Sequence, residues 1–115
     1  MPLPSLTKLA FKSEEKIFTI NPPRGEQPFP NATRKIDLAD VAVLYAIKES
    51  QLPKYAETVQ ALPPEGLLWV CYPKLGRLET DLGRDKIWTW MKGQGFQPDR
   101  MVNLDDTWSA LAFKR

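Results

Sequence analysis

The chain has 115 residues, 43% hydrophobic and 26% charged, with a formal net charge of +2, one cysteine and no histidine. That balance describes one globular domain, residues 1–115, long enough to bury a core without metal or disulfide staples. The missing histidine excludes a Ser-His-Asp triad, a Cys-His dyad and any histidine-ligated metal, and the small net charge gives little long-range pull toward nucleic acid or an anionic membrane.

Met1-Pro2-Leu3-Pro4-Ser5 has neither the basic nor the long apolar region of a signal peptide, and no apolar run approaches the ~20 residues of a membrane span. The expected location is therefore cytoplasmic. Pro2 and Pro4 keep the start extended, and Ser5 to Phe11 has room for one helical turn. Lys16 to Asn21, rich in Ile, Phe and Thr, reads as a first strand that stops at Asn21-Pro22-Pro23-Arg24-Gly25. Residues 22 to 39 hold four prolines and few large apolar groups, and read as loop. Asp40 to Ile47 is a continuous apolar run, the pattern of a strand covered on both faces.

A helix follows from about Ser50 to Leu62. Leu52, Tyr55, Ala56, Val59 and Leu62 form one stripe, with Ser50 as its cap and Pro53 in its first turn. Pro63-Pro64-Glu65-Gly66 ends it. Gly66 to Pro73 contains a third strand, apolar throughout, in which Cys71 reads as a buried small thiol. Thr80-Asp81 opens a second helix to about Lys92, with Thr80 as cap and Asp81 and Asp85 near its positive end. Gly93 and Gly95 stop that helix. Asp99 to Leu104 and Trp108 to Lys114 are strands joined by Asp105-Asp106-Thr107 as an antiparallel hairpin. Strands alternating with helices imply an α/β fold with a mostly parallel sheet, and right-handed crossovers set its first three strands side by side.

The segments Asp40-Val41-Ala42-Val43-Leu44, Pro64-Glu65-Gly66-Leu67-Leu68-Trp69-Val70 and Gly95-Phe96, each followed by its element, together resemble the C-terminal half of a class I S-adenosylmethionine-dependent methyltransferase. The resemblance covers residues 40 to 115. It implies a three-layer, Rossmann-like half domain with a five-stranded sheet of order 1-2-3-5-4, the last strand inserted antiparallel. Gly66-Leu67-Leu68-Trp69-Val70-Cys71-Tyr72-Pro73-Lys74, Thr80-Asp81-Leu82-Gly83-Arg84-Asp85 and Asp105-Asp106-Thr107-Trp108-Ser109-Ala110-Leu111 are similar to a family of small bacterial proteins of unknown function with this truncated layout. Relative to that family, the segment between the first two strands is short and proline-rich here.

The methyltransferase resemblance also implies a glycine-rich turn after the first strand, where the backbone approaches the cofactor. The equivalent stretch, Asn21-Pro22-Pro23-Arg24-Gly25-Glu26, has one glycine and two prolines, which remove backbone donors. Asp40 precedes its strand, at the wrong edge to hold a ribose, and Gly93-Gln94-Gly95 closes a helix rather than opening one. The expectation is no bound cofactor, no metal and no catalytic residue.

Ligands of open parallel sheets bind outside the carboxyl ends of the strands. Asn21, Lys48, Lys74, Thr80, Asp81, Asp105 and Asp106 are expected along that edge, with Arg84 and Asp85 one turn into the helix. As a ligand site, Lys74, Arg84 and the helix N-terminus face an anion, and Asp81, Asp105 and Asp106 accept hydrogen bonds or hold Mg²⁺. As structure, Thr80 and Asp81 cap a helix, Asp105 and Asp106 make a turn, and Arg84 ties helix to turn. Trp69 and Trp108 are core candidates. Trp88 and Trp90 lie about 200° apart on one helix, so they cannot both face the sheet. One is left for a partner surface or for coverage by Leu3 to Phe11.

Two functions follow. The first is a non-catalytic methyltransferase-like domain acting through a protein partner or as a homodimer. The alternative is a small-ligand-binding protein or enzyme using the polar carboxyl edge. Nucleic acid and membrane are not expected partners.

Overall fold

The computed structural model describes residues 15–22, 33 and 35–115. Strands β1 (Ile17–Ile20), β2 (Val41–Tyr45), β3 (Leu67–Pro73), β4 (Gln97–Asn103) and β5 (Trp108–Lys114) form one sheet in the expected order, β1-β2-β3-β5-β4. The pairings β1–β2 and β2–β3 are parallel, and β3–β5 and β4–β5 are antiparallel. Only β5 runs against the rest. Because it lies between β3 and β4, half the pairings are antiparallel and the sheet is mixed rather than mostly parallel. A strand returning through a short hairpin must oppose its predecessor.

Every residue of β2 is buried, as its unbroken apolar run requires. Alternation sends Ala42, Leu44, Leu68 and Val70 to one face, and Val41, Val43, Trp69 and Cys71 to the other. Burial pushes the Cys71 thiol far up, so it is held as an inert hydrophobe. Trp69 and Trp108 are both core residues, as expected.

The expected helix from Ser50 to Leu62 is split. Glu49–Tyr55 is a 3₁₀ stretch, and α-helical bonding begins only with α1 (Ala56–Gln60). Pro53 lies inside the 3₁₀ part, and its missing N–H and ring crowding disfavour a regular α turn there. Ser50 is not the cap. Gln51 Oε1 accepts from the N–H groups of Ile47 at 2.7 Å and Lys48 at 3.0 Å. Leu52, Val59 and Leu62 still point into the core. Gly66 follows in a tight turn, where an added Cβ would lie 2.8 Å from Leu62 Cγ.

The second helix, α2 (Arg84–Gly93), starts later than Thr80-Asp81, and its N-cap is Gly83 rather than Thr80. Leu82 is fully buried, and the extended chain that brings it to the core delays the first helical residue. The far end stops as read. Gly95 takes φ +89°, its N–H bonds Lys92 O, and Phe96 N–H bonds Met91 O. Met91 and Phe96 complete that cap inside the core. β4 begins two residues before the expected Asp99, with a bulge between Pro98 and Arg100.

Both α1 and α2 cover the face that carries Leu44, Leu68 and Val70. The expected turn at Ser5 to Phe11 and residues 23–32 of the expected loop lie outside the described residues. The three-layer arrangement is therefore described for its helix layer on one face. Residues Ile36–Leu38, within that expected loop, form a short 3₁₀ turn. Among the described residues no helix is long and apolar enough to cross a membrane.

Candidate functional site

Parallel β1, β2 and β3 end at one edge of the sheet, and antiparallel β5 begins there. Asn21, Lys48, Lys74 and Asp105-Asp106 are therefore brought to that edge together. Lys74 N–H bonds Thr107 O at 2.8 Å, joining the end of β3 to the hairpin.

Most of the polar groups at this edge are engaged by the chain itself. Asn21 adopts a left-handed φ of 55°, and its Nδ2 donates to Tyr45 O at 2.9 Å, spanning the ends of β1 and β2. The Thr80 hydroxyl donates to Ile47 O and accepts from Leu82 N–H at 3.0 Å. Asp81 Oδ1 accepts from Glu49 N–H at 2.7 Å, so Asp81 caps the 3₁₀ stretch across the edge rather than its own helix. That hydrogen bond is the main reason its carboxyl is held below the usual range, with Lys48 and Lys86 adding to it. Lys48 Nζ donates to Glu79 O, and Lys86 Nζ donates to Asp81 O at 2.8 Å. Asp105 Oδ1 accepts from Thr107 N–H at 2.8 Å and Trp108 N–H at 2.7 Å, fixing the turn.

The expected tie from Arg84 to Asp106 is not formed. Arg84 instead pairs with its neighbour Asp85 at 3.5 Å, both well exposed. Asp106 is exposed, and Lys74, partly exposed, enters no ion pair among the described residues. Among the described residues no group of three or more acidic or thiol side chains is placed to hold a metal ion.

The connection from Lys74 to Gly83 carries the local strain. Gly76, Leu78 and Glu79 all have positive φ, and only the first is glycine. Beside it lies a groove of about 600 Å³ between Leu75 and Met101, with Arg84 and Lys86 among its lining. Leu75 and Met101 are 70% and 55% exposed. Sequence reasoning missed both, because neither belongs to a polar motif. It also missed Gln51, whose spacing of three residues after Lys48 is the capping-box spacing. On α2, Trp88 is 37% exposed with the Lys92 ammonium 5.5 Å over its ring, while Trp90 packs partly buried against the core. Coverage by Leu3 to Phe11 lies outside the described residues.

No family model matches the chain, and no curated protein matches it. Solved structures do. The chain superposes with TM-score 0.65 over 99% of its length on an O-methyltransferase family 2 protein from Planctomyces limnophilus, at 10% identity. A SAM-dependent methyltransferase from Aquifex aeolicus gives TM-score 0.64 over 94% of the chain, at 9% identity. The fold is that of the methyltransferases. LepI, solved with SAH and a substrate analogue, gives 0.60 over 95%, at 11% identity. The chain spans 53% of the Planctomyces protein and 38% of LepI, against 86% of the Aquifex enzyme.

In a methyltransferase-like sheet the cofactor would meet the carboxyl ends of the strands. Of the turn after β1, Asn21 and Pro22 lie within the described residues, and their placement speaks against such a contact. The Asn21 amide bridges the ends of β1 and β2, and Pro22, which follows, has no N–H to offer.

Proposed function

We propose that this chain is a methyltransferase-like domain that works without S-adenosylmethionine and without catalysis, through protein contact or self-association. The observation that carries this reading is the occupation of the carboxyl edge by the chain's own bonds. Asn21, Thr80, Asp81 and Asp105 each close onto backbone groups of the sheet edge or its turns. A polar group already bonded in this way is costly to redirect toward a ligand.

Calorimetric titration and thermal melts with S-adenosylmethionine and S-adenosylhomocysteine test this. No heat of binding and no shift in Tm are expected. A ligand at one hundred times its Kd stabilises by about 2.7 kcal/mol, a shift of several degrees for a domain of this size, and a saturable shift of that kind would overturn the reading.

One observation favours the second reading, a small anionic ligand. Gly83 provides no side chain to cap α2, and it lines the groove with Arg84 and Lys86, alongside the carboxylates of Asp81 and Asp85. Melts with inorganic phosphate and pyrophosphate separate the two, since only a bound anion raises Tm saturably at constant ionic strength.

A further inference from the structure

Among the described residues β4 is the outermost strand on its side of the sheet. The phase of its bonds identifies which groups look outward. Leu104 N–H bonds Trp108 O at 3.1 Å, toward β5. Antiparallel ladders alternate, so Val102 and Arg100 also bond toward β5, and Met101 turns its N–H and C=O to the open edge. Before the bulge the register is Pro98 opposite Phe113, and after it Arg100 opposite Ala112. That phase makes Pro98 outward-facing, where it has no N–H to offer. Proline and the bulge therefore guard the first half of the edge against another strand. The half around Met101 carries neither device.

Met101 is also where apolar surface is exposed. Among the described residues four large hydrophobics are exposed, and two of them, Leu75 and Met101, line the groove beside the Lys74–Gly83 connection. Met101 Sδ lies 4.0 Å from the Tyr72 hydroxyl on the helix-bearing face. Arg100, 5.2 Å over the Trp69 ring, and Val102 lie on the other face.

We propose that this half-edge is where two copies of the chain associate, β4 pairing antiparallel with β4 of a second copy about a two-fold axis at Met101. The inference rests on the interaction reading above and names its surface and partner. A second copy fits for reasons of symmetry. An axis perpendicular to the sheet keeps each face in place, so Met101 meets Met101 and Arg100 meets Val102, with no like charges opposed. Moving the axis to Arg100 would oppose two guanidiniums. The pairing closes the β4 edge of each copy in one step and brings the two exposed Met101 side chains together across the axis.

Sedimentation velocity over a concentration series tests it. The wild type is expected to dimerise. Met101→Pro deletes an N–H that faces only the open edge, and Met101→Lys sets two ammonium groups against each other. Each should raise the apparent dissociation constant at least ~10-fold, with far-UV circular dichroism and cooperative unfolding retained. If the proline variant unfolds, the lysine variant carries the test. A strict monomer at the highest concentration overturns self-association at β4, and so does a dimer that survives both substitutions. S-adenosylmethionine binding is measured separately, so failure of the non-catalytic reading and failure of this one are distinguishable.

Discussion

Asp81 shows how one carboxylate holds two elements together. It receives Glu49 N–H at 2.7 Å, and Lys86 bonds its carbonyl. Its folded pKa lies below the unfolded value, so its contribution to stability is present at neutral pH and is lost as pH falls from about 4 through the depressed folded value. Asp81→Ala is expected to melt lower than wild type at pH 7, and the two melting temperatures should converge toward pH 3. Calorimetry across that range checks it, and a constant gap at all pH values would point to packing rather than charge. Thr80 and Asp81 were legible as edge residues, because a Thr-Asp pair ahead of an apolar helical run reads as a cap. Their true partners were not, since Ile47 O and Glu49 N–H lie more than thirty residues away in sequence. Spacing rules describe local bonds and say nothing of such distant ones.

The element that joins β3 to α2 is under local strain. Leu78 and Glu79 sit in succession in the left-handed region, with φ of 50° and 55°. An L-residue there costs roughly 1–2 kcal/mol, which glycine avoids at an entropic cost of roughly 0.5–1 kcal/mol. Glu79 is exposed and its carbonyl holds Lys48. Glu79→Gly is therefore expected to stabilise the protein by up to about 1 kcal/mol, read from urea denaturation, and a clear loss of stability would contradict the left-handed backbone. Leu78 packs on the second core face, so the same change there would also remove buried apolar area. Helical periodicity disclosed the buried stripe of Leu52, Val59 and Leu62. It did not disclose the switch from 3₁₀ to α-helix, which depends on Pro53 and on Gln51 reaching back to Ile47 and Lys48.

At the scale of the whole molecule, stability rests on β2, β3 and β5, whose side chains are almost all buried. Leu68→Ala, on the face covered by both helices, is expected to cost about 2–5 kcal/mol out of a typical 5–15 kcal/mol, measured by urea denaturation. Alternating strands and helices made β1, β2 and β3 readable as neighbours, and Asp105-Asp106-Thr107 made β4 and β5 readable as a hairpin, whereas the full order was implied only by the resemblance to the methyltransferase half. The one strand that succession along the sequence does not place is β5, which follows β4 yet is seated between β3 and β4. That seat matters while the protein is being synthesised. Until Trp108–Lys114 emerges from the ribosome, Leu68 to Cys71 has no neighbour on one side and β4 has no partner strand at all. Until β5 is available, the growing chain thus carries two unsatisfied strand edges, one of them strongly apolar. A nascent chain stalled just short of β5 would be the form most open to chaperone capture and aggregation.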